Sequence, residues 1–173
     1  MHDVFDNFVD HYYFKEILAC LTSADFEWFY KDNITNKKTL GNYGFVHPLF
    51  IDKQWSPYSR YAGFLKPLIL KIQSFLNAQR IIRARFDMVT KKTDNEHILE
   101  PHQDYRYSNF ATILYINETD GDTILYKDNT CETEIARISP KPNSLLVFQG
   151  DEWHAGCLPI KYNQRILLNS NYV

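Results

Sequence analysis

Cysteine is scarce in this chain: Cys20, Cys131 and Cys157 form no Cys-x-x-Cys element. An odd set at such spacing argues against a disulfide framework and a zinc-thiolate centre, and suits reduced, intracellular thiols. Long apolar runs are missing too. Where a secretory signal would place basic and then apolar residues, the start carries Asp3, Asp6 and Asp10, so a cytoplasmic protein with no membrane association is expected. Charge of one sign is also lacking. A net charge of −2 and a pI near 6.3 provide no general attraction to nucleic acid or to a lipid surface.

What is abundant is aromatic surface, with twelve Tyr and twelve Phe among 173 residues. Aromatic side chains favour pleated surfaces, so a β-rich core is expected. The length suits one domain, 1–173, with a substantial core. No repeat, low-complexity tract or linker interrupts it. Residues 1–79 are expected to be mainly helical support with one aromatic strand, and residues 80–173 to form a jelly-roll core.

Val9, Tyr13, Ile17, Cys20 and Leu21 recur at helical spacing behind Asp10, a good cap;. Phe26 to Tyr30 reads as a short strand; Trp28 and Tyr30 could face a ligand, though aromatics at strand spacing more often enter the core. Asn33 to Tyr43 reads as a polar turn region. Ser56-Pro57 resembles a helix opening. Beyond it, Tyr61, Phe64, Leu65, Leu68, Ile69, Ile72, Phe75 and Leu76 form the strongest apolar stripe in the chain;. Pro67 should kink that helix or split it into two abutting ones.

From Arg80 the period changes to two. Ile82, Ala84, Phe86 and Met88 share one face of a strand; Arg83, Arg85 and Asp87 share the other;. Arg83 or Arg85 could bind an anionic substrate group if their face looks into a barrel, or could simply form a charged, solvent-facing edge. Thr90 to Pro101 is a charged loop, a candidate lid or plain surface. Short strands follow at 111–117, 123–127, 134–138, 144–148 and 165–172, with turns at Asp120-Gly121 and Pro140 to Asn143. Short strands after a helical part suggest a jelly-roll sandwich with helices packed on its major sheet.

The chemistry concentrates in 102–169. In an extended segment alternate side chains share a face, so His102 and Asp104 of His-Gln-Asp can reach one ion;. His154 can complete the set if its strand folds beside the first. Two imidazoles and a carboxylate suit a mononuclear non-haem iron centre, leaving about three octahedral positions open; zinc is not excluded by ligand type. Six histidines and thirteen aspartates would give roughly 0.5 His-x-Asp triplets by chance, so the triplet alone is weak. Its surroundings strengthen it: Ala111 to Asn117, then Asp120 to Thr123, Pro142 to Phe148, His154-Ala155-Gly156, and Arg165 beyond. Arg165, Leu167, Asn169 and Asn171 share one face of the last strand. Such a face is costly to bury unless it lines a carboxylate pocket, for which a guanidinium fork is well shaped.

In that order, the C-terminal half resembles the 2-oxoglutarate and Fe(II)-dependent dioxygenases, nearest to the prolyl-4-hydroxylase-like branch and its small stand-alone members. The resemblance implies a cupin-like double-stranded β-helix and Fe(II) held by His102, Asp104 and His154. It also implies 2-oxoglutarate as co-substrate, its distal carboxylate on Arg165 and Tyr115, with ascorbate a candidate reductant. Asn169 stands where relatives often carry a hydroxyl residue. Dioxygen would be consumed and succinate and CO2 released as a peptide or small-molecule substrate, prolyl at the family level, is hydroxylated. Asp104 speaks against halogenation, since halogenating relatives lack this carboxylate. A nucleic-acid dealkylase is the second expectation, from the basic residues Arg80, Arg83, Arg85, Lys91 and Lys92. Against it, Asn171 stands where alkylation-repair relatives carry an arginine, and the near-neutral charge gives no phosphate footprint. A non-catalytic jelly-roll binding module is the third. Arg85, Tyr105, Arg106 and Trp153 are nominated as substrate contacts by proximity alone.

Overall fold

In the computed structural model, which describes residues 2–35, 42–93, 95 and 97–173, Asp10 caps the first helix. Its carboxylate accepts from the backbone N–H groups of Tyr12 and Tyr13 at 3.0 and 3.2 Å, satisfying donors that a helix start leaves bare. Helix α1 (His11–Leu21) buries Phe14, Ile17 and Leu21. Helix α2 (Ala62–Phe75) buries Leu65, Leu68, Ile69 and Ile72, the centre of the stripe read from the sequence, while Phe64 and Phe75, also expected on it, stay exposed.

The start of α2 departs from expectation. Ser56 and Pro57 do not open it; Tyr61 occupies the cap position without a side-chain capping bond. The intervening residues serve tertiary contacts instead, Ser59 meeting His47 at 2.7 Å and the Tyr61 hydroxyl donating to the Asp25 carbonyl at 3.0 Å. Nor does Pro67 divide the stripe into two helices, since α2 runs through it. An internal proline costs about 3 kcal/mol. Burying four large apolar side chains, at roughly 1.5–3 kcal/mol each, outweighs that.

The strands are β1 (Asp3–Phe5), β2 (Phe29–Lys31), β3 (Gly44–Ile51), β4 (Gln54–Trp55), β5 (Ile81–Thr90), β6 (Phe110–Tyr115), β7 (Thr123–Tyr126), β8 (Glu134–Ile138), β9 (Leu145–Gln149), β10 (Trp153–Gly156) and β11 (Gln164–Tyr172). Among the described residues, eight form a major antiparallel sheet in the order β1-β9-β6-β11-β5-β3-β2, with β4 on β3; the minor sheet is β10-β7-β8. This is the expected jelly roll with helices on the major sheet. The aromatic strand is shorter than expected. Phe26 leaves it to pack in the helix-side core, and Tyr30, expected inside, is 60% exposed. Strand β3 escaped the sequence reading because Pro48 interrupts it; the ladder accommodates the proline with a register shift between Pro48 and Phe50;. Of the turn region 33–43, residues 36–41 lie outside the described residues. So do Asp94 and Glu96 of the candidate lid, and the end of that loop is tied down along β10, Leu99 N–H donating to the Gly156 carbonyl at 2.9 Å.

Alternation divides the major sheet into two environments. Ala84 and Phe86 of β5, Leu114 of β6, and Ile166, Leu168 and Tyr172 of β11 pack with both helices in one apolar core. Ala111, Ile113 and Tyr115 of β6 and Leu167 of β11 point the other way, toward Leu125 and Ile138 of the minor sheet. The polar face of β5 shares that interior: Arg83 pairs in register with Asn171 and Arg85 with Asn169. It is not a solvent-facing edge.

Candidate metal and co-substrate site

Residues 98–102 run antiparallel to β10, with isolated bridges joining Ile98 to Cys157 and His102 to His154. The two histidines exchange backbone hydrogen bonds of 2.9 Å in both directions. Residues directly opposite in an antiparallel pair project to the same face, and the imidazole centroids lie 4.5 Å apart. Asp104 follows one pleat further. The ligand atoms offered by His102, Asp104 and His154 all fall within 4.8 Å of one another. The structure thus brings together the three predicted donors, and they are the triad among the described residues that could hold a metal ion.

The state of the donors suits a cation. The Nδ1 atoms of His102 and His154 lie 3.0 Å from the carbonyls of Glu100 and Glu152, each two residues back. A carbonyl only accepts, so Nδ1 carries the proton in both rings and Nε2 keeps its lone pair for a metal. Burial, reinforced by the neighbouring His154, lowers the His102 pKa to about 4, so the ring is neutral at physiological pH. Burial alone would raise the Asp104 carboxyl. Arg83, followed by the two histidines and Asn171, outweighs it and holds Asp104 well below the usual carboxylate range.

Behind the triad is a recess lined by His102, His154, Ile113, Leu167, Thr123 and Arg165. Arg165 is 4% exposed, and among the described residues no carboxylate forms an ion pair with it. Its Nη2 donates to Thr123 Oγ1 at 2.8 Å, the Tyr115 hydroxyl donates to the same oxygen at 2.7 Å, and its buried Nε has no hydrogen-bond partner. Burial pushes the guanidinium below its ordinary value, though arginine stays charged at any working pH. Two glycines make room for it. A Cβ on Gly156 would stand 3.1 Å from Arg165 Nη1; one on Gly121 would meet Arg165 Cδ at 2.6 Å and the Cys157 carbonyl at 2.5 Å. A buried cation with an orphaned donor, in a recess of mixed polar and apolar lining that includes two of the triad residues, fits a carboxylate-bearing co-substrate;.

Other nominated residues are distributed differently. Asn169 lines the recess, but its Oδ1 accepts from Arg83 at 3.2 Å and no hydrogen bond joins it to Arg165. Arg85 also lines the recess, its Nε 2.8 Å from Asp87 Oδ1. Tyr105, Arg106 and Trp153 line an open groove beside 100–104; Trp153 packs partly on the outer cluster of Ile124, Tyr126, Ala155 and Cys157. Sequence reasoning missed Thr123, the shared partner of Tyr115 and Arg165. Its signal was period two along β7, which places it on the face of Leu125. The roles of Arg83 and Asn171 beside Asp104 were missed as well, since no local pattern joins residues so far apart in the chain.

A jelly roll with two imidazoles, one carboxylate and a buried arginine at its mouth defines a class of non-haem iron oxygenases. The family model described as the 2OG-Fe(II) oxygenase superfamily matches residues 88–173, the C-terminal half, and the chain belongs to that superfamily. It is a 2-oxoglutarate-dependent dioxygenase with Fe(II) as its metal. No curated protein sequence matches the chain. Solved structures similar in fold cover 99% of it. They include a 2OG-Fe(II) oxygenase family oxidoreductase from Burkholderia pseudomallei (12% identity, TM-score 0.74, 84% of that chain). A prolyl-4-hydroxylase from Pseudomonas putida gives 17% identity, TM-score 0.65 and 91% coverage. A prolyl hydroxylase from Trichoplax adhaerens, in complex with a hypoxia inducible factor peptide fragment, gives 13%, 0.70 and 83%. Among the described residues no helix is long and apolar enough to cross a membrane.

Proposed function

We propose that the chain is one catalytic domain, 1–173, that holds Fe(II) through His102, Asp104 and His154. Arg165 receives the distal carboxylate of 2-oxoglutarate, with Tyr115 and Asn169 in the same pocket, and a peptidyl substrate is hydroxylated, proline being the residue to test first. The observation that carries this is the convergence of three donor atoms within 4.8 Å beside a recess lined by a buried arginine that forms no ion pair among the described residues. Three protein ligands leave about three octahedral positions for a chelating co-substrate and dioxygen. When bound, Fe(II) with 2-oxoglutarate supplies oxidative decarboxylation to succinate and CO2, coupled to hydroxylation. The protein's own part is to present two Nε2 lone pairs, anchor the co-substrate on Arg165 and Thr123, and keep water out with Ile113 and Leu167.

The likeness to two prolyl hydroxylases supports a peptidyl substrate, as does the open groove lined by Tyr105, Arg106 and Trp153 beside the triad. Nucleic acid is the weaker partner. Asn171, where alkylation-repair relatives carry an arginine, is fully buried against Asp104. Three cysteines that form no disulfide suit a reducing compartment and support a cytoplasmic setting;.

Anaerobic titration with Fe(II) and then 2-oxoglutarate tests the site. The weak visible charge-transfer band of the chelate is expected in the parent protein, absent in His154→Ala, and shifted to higher 2-oxoglutarate concentration in Arg165→Ala. An unchanged band in His154→Ala would reject the ligand assignment. Succinate release with proline-containing peptides, compared with alkylated oligonucleotides, separates the substrate classes.

A further inference from the structure

We propose that Arg83, together with Asn171, is a positioning residue that fixes the Asp104 carboxylate for metal coordination. This rests on the ligand assignment above. The two histidines are oriented locally, each ring donating to the carbonyl two residues before it. Asp104 has no such device. It lies beyond the last bridge of the 98–102 segment, with only its N–H placed, 3.2 Å from the Gly150 carbonyl. Its side chain is oriented from across the barrel.

Two central strands of the major sheet do this. Arg83 on β5 and Asn171 on β11 are partners in register, so their side chains emerge together on the inner face. Arg83 Nη2 donates to Asp104 Oδ1 at 2.8 Å, and Asn171 Nδ2 donates to Asp104 Oδ2 at 2.9 Å. The two donors are locked to each other and to their neighbours. Arg83 Nη2 reaches Asn171 Oδ1 at 2.9 Å and Asn169 Oδ1 at 3.2 Å, while Asn171 Nδ2 also reaches Asn109 Oδ1 at 3.1 Å. Each carboxylate oxygen therefore carries one donor from the rigid sheet. A carboxylate has about four lone-pair sites, so the remaining ones face the ion in a fixed direction. Loss of a partner that holds a ligand in this way typically costs about 10- to 100-fold in metal affinity.

A merely structural ion pair makes a different prediction: losing Arg83 would lower the melting temperature and leave the affinity of the folded protein for metal unchanged. Titration of Mn(II), a redox-stable stand-in for Fe(II), into metal-free protein with circular dichroism as the folding control separates the two. Arg83→Ala and Asn171→Ala should each bind Mn(II) about 10- to 100-fold more weakly, and Arg83→Lys should lose less because it keeps the charge and one donor. If Arg83→Ala does not fold, Arg83→Lys and Asn171→Ala decide. Affinities within about threefold of the parent in the folded variants, with binding lost in Asp104→Ala, would overturn the positioning role alone. Undiminished binding in Asp104→Ala would overturn the ligand assignment on which it rests.

Discussion

The two faces of strands β5, β6 and β11 are made of alternating residues of the same segments, yet they do different work. On the helix side, Ala84, Phe86, Leu114, Ile166, Leu168 and Tyr172 are almost completely buried in the larger apolar core. On the barrel side β5 and β11 present Arg83, Arg85, Asp87, Arg165, Asn169 and Asn171, while β6 supplies the apolar wall of Ala111, Ile113 and Tyr115. The difference separates stability from chemistry at the level of the single residue. Apolar packing on one face holds the sheet rigid, and that rigidity is what lets the other face keep charged groups at hydrogen-bonding distances.

Substitutions can break that division. The largest effect is expected from Phe86→Ala, which removes a ring with no exposed surface. It should destabilise the fold by about 3–5 kcal/mol in chemical denaturation, while the molecules still folded bind Mn(II) as before. A parallel loss of metal affinity would show that the faces are not independent. Arg165→Ala should do the reverse. Losing a charge-assisted contact worth about 1.5–3 kcal/mol would weaken 2-oxoglutarate binding roughly 10- to 100-fold by calorimetry. Stability should change little, since among the described residues no carboxylate is ion-paired with this buried arginine to offset its desolvation;.

His47 extends the comparison to acid. It is fully buried on the helix side, with Nδ1 donating to the Glu27 carbonyl at 2.7 Å and Nε2 accepting from Ser59 Oγ at 2.7 Å. Burial lowers its pKa. A histidine depressed in the folded state stabilises the protein fully above its unfolded value of about 6.5, and that contribution is lost as pH falls toward the folded value. Melting temperatures should therefore decline below about pH 6.5, with a shallower decline in His47→Gln. The smallest effect is reserved for Gly156→Ala. Its Cβ would press Arg165 Nη1 at 3.1 Å, and a slight displacement of the guanidinium should weaken 2-oxoglutarate about threefold, under 1 kcal/mol.

Much of this was legible in the chain. The stripe of α2, the Asp10 cap and the period-two faces of β5 and β11 are local patterns, and the structure keeps them. His102, Asp104, His154 and Arg165 could be nominated because a spaced motif order carried them, and the structure brings the first three together. What failed was local chemistry with more than one use. Ser56-Pro57 has the residues of a helix start but sits in a turn whose neighbours serve His47 and Asp25. Pro48 hid a strand of eight residues. Thr123, Arg83 and Asn171 acquire their roles only when β7, β5 and β11 are assembled around the ligands, and nothing in their immediate neighbours announces it.

The cross-strand pairing of His102 with His154 has a consequence for the order in which the protein can come apart. An ion shared by those two rings ties together the ends of the long excursion that carries β6 through β9, so that circuit cannot open without releasing the ion. Free metal in excess of its dissociation constant should therefore slow amide hydrogen exchange at both histidines and along that excursion, a protection that a chelator would erase.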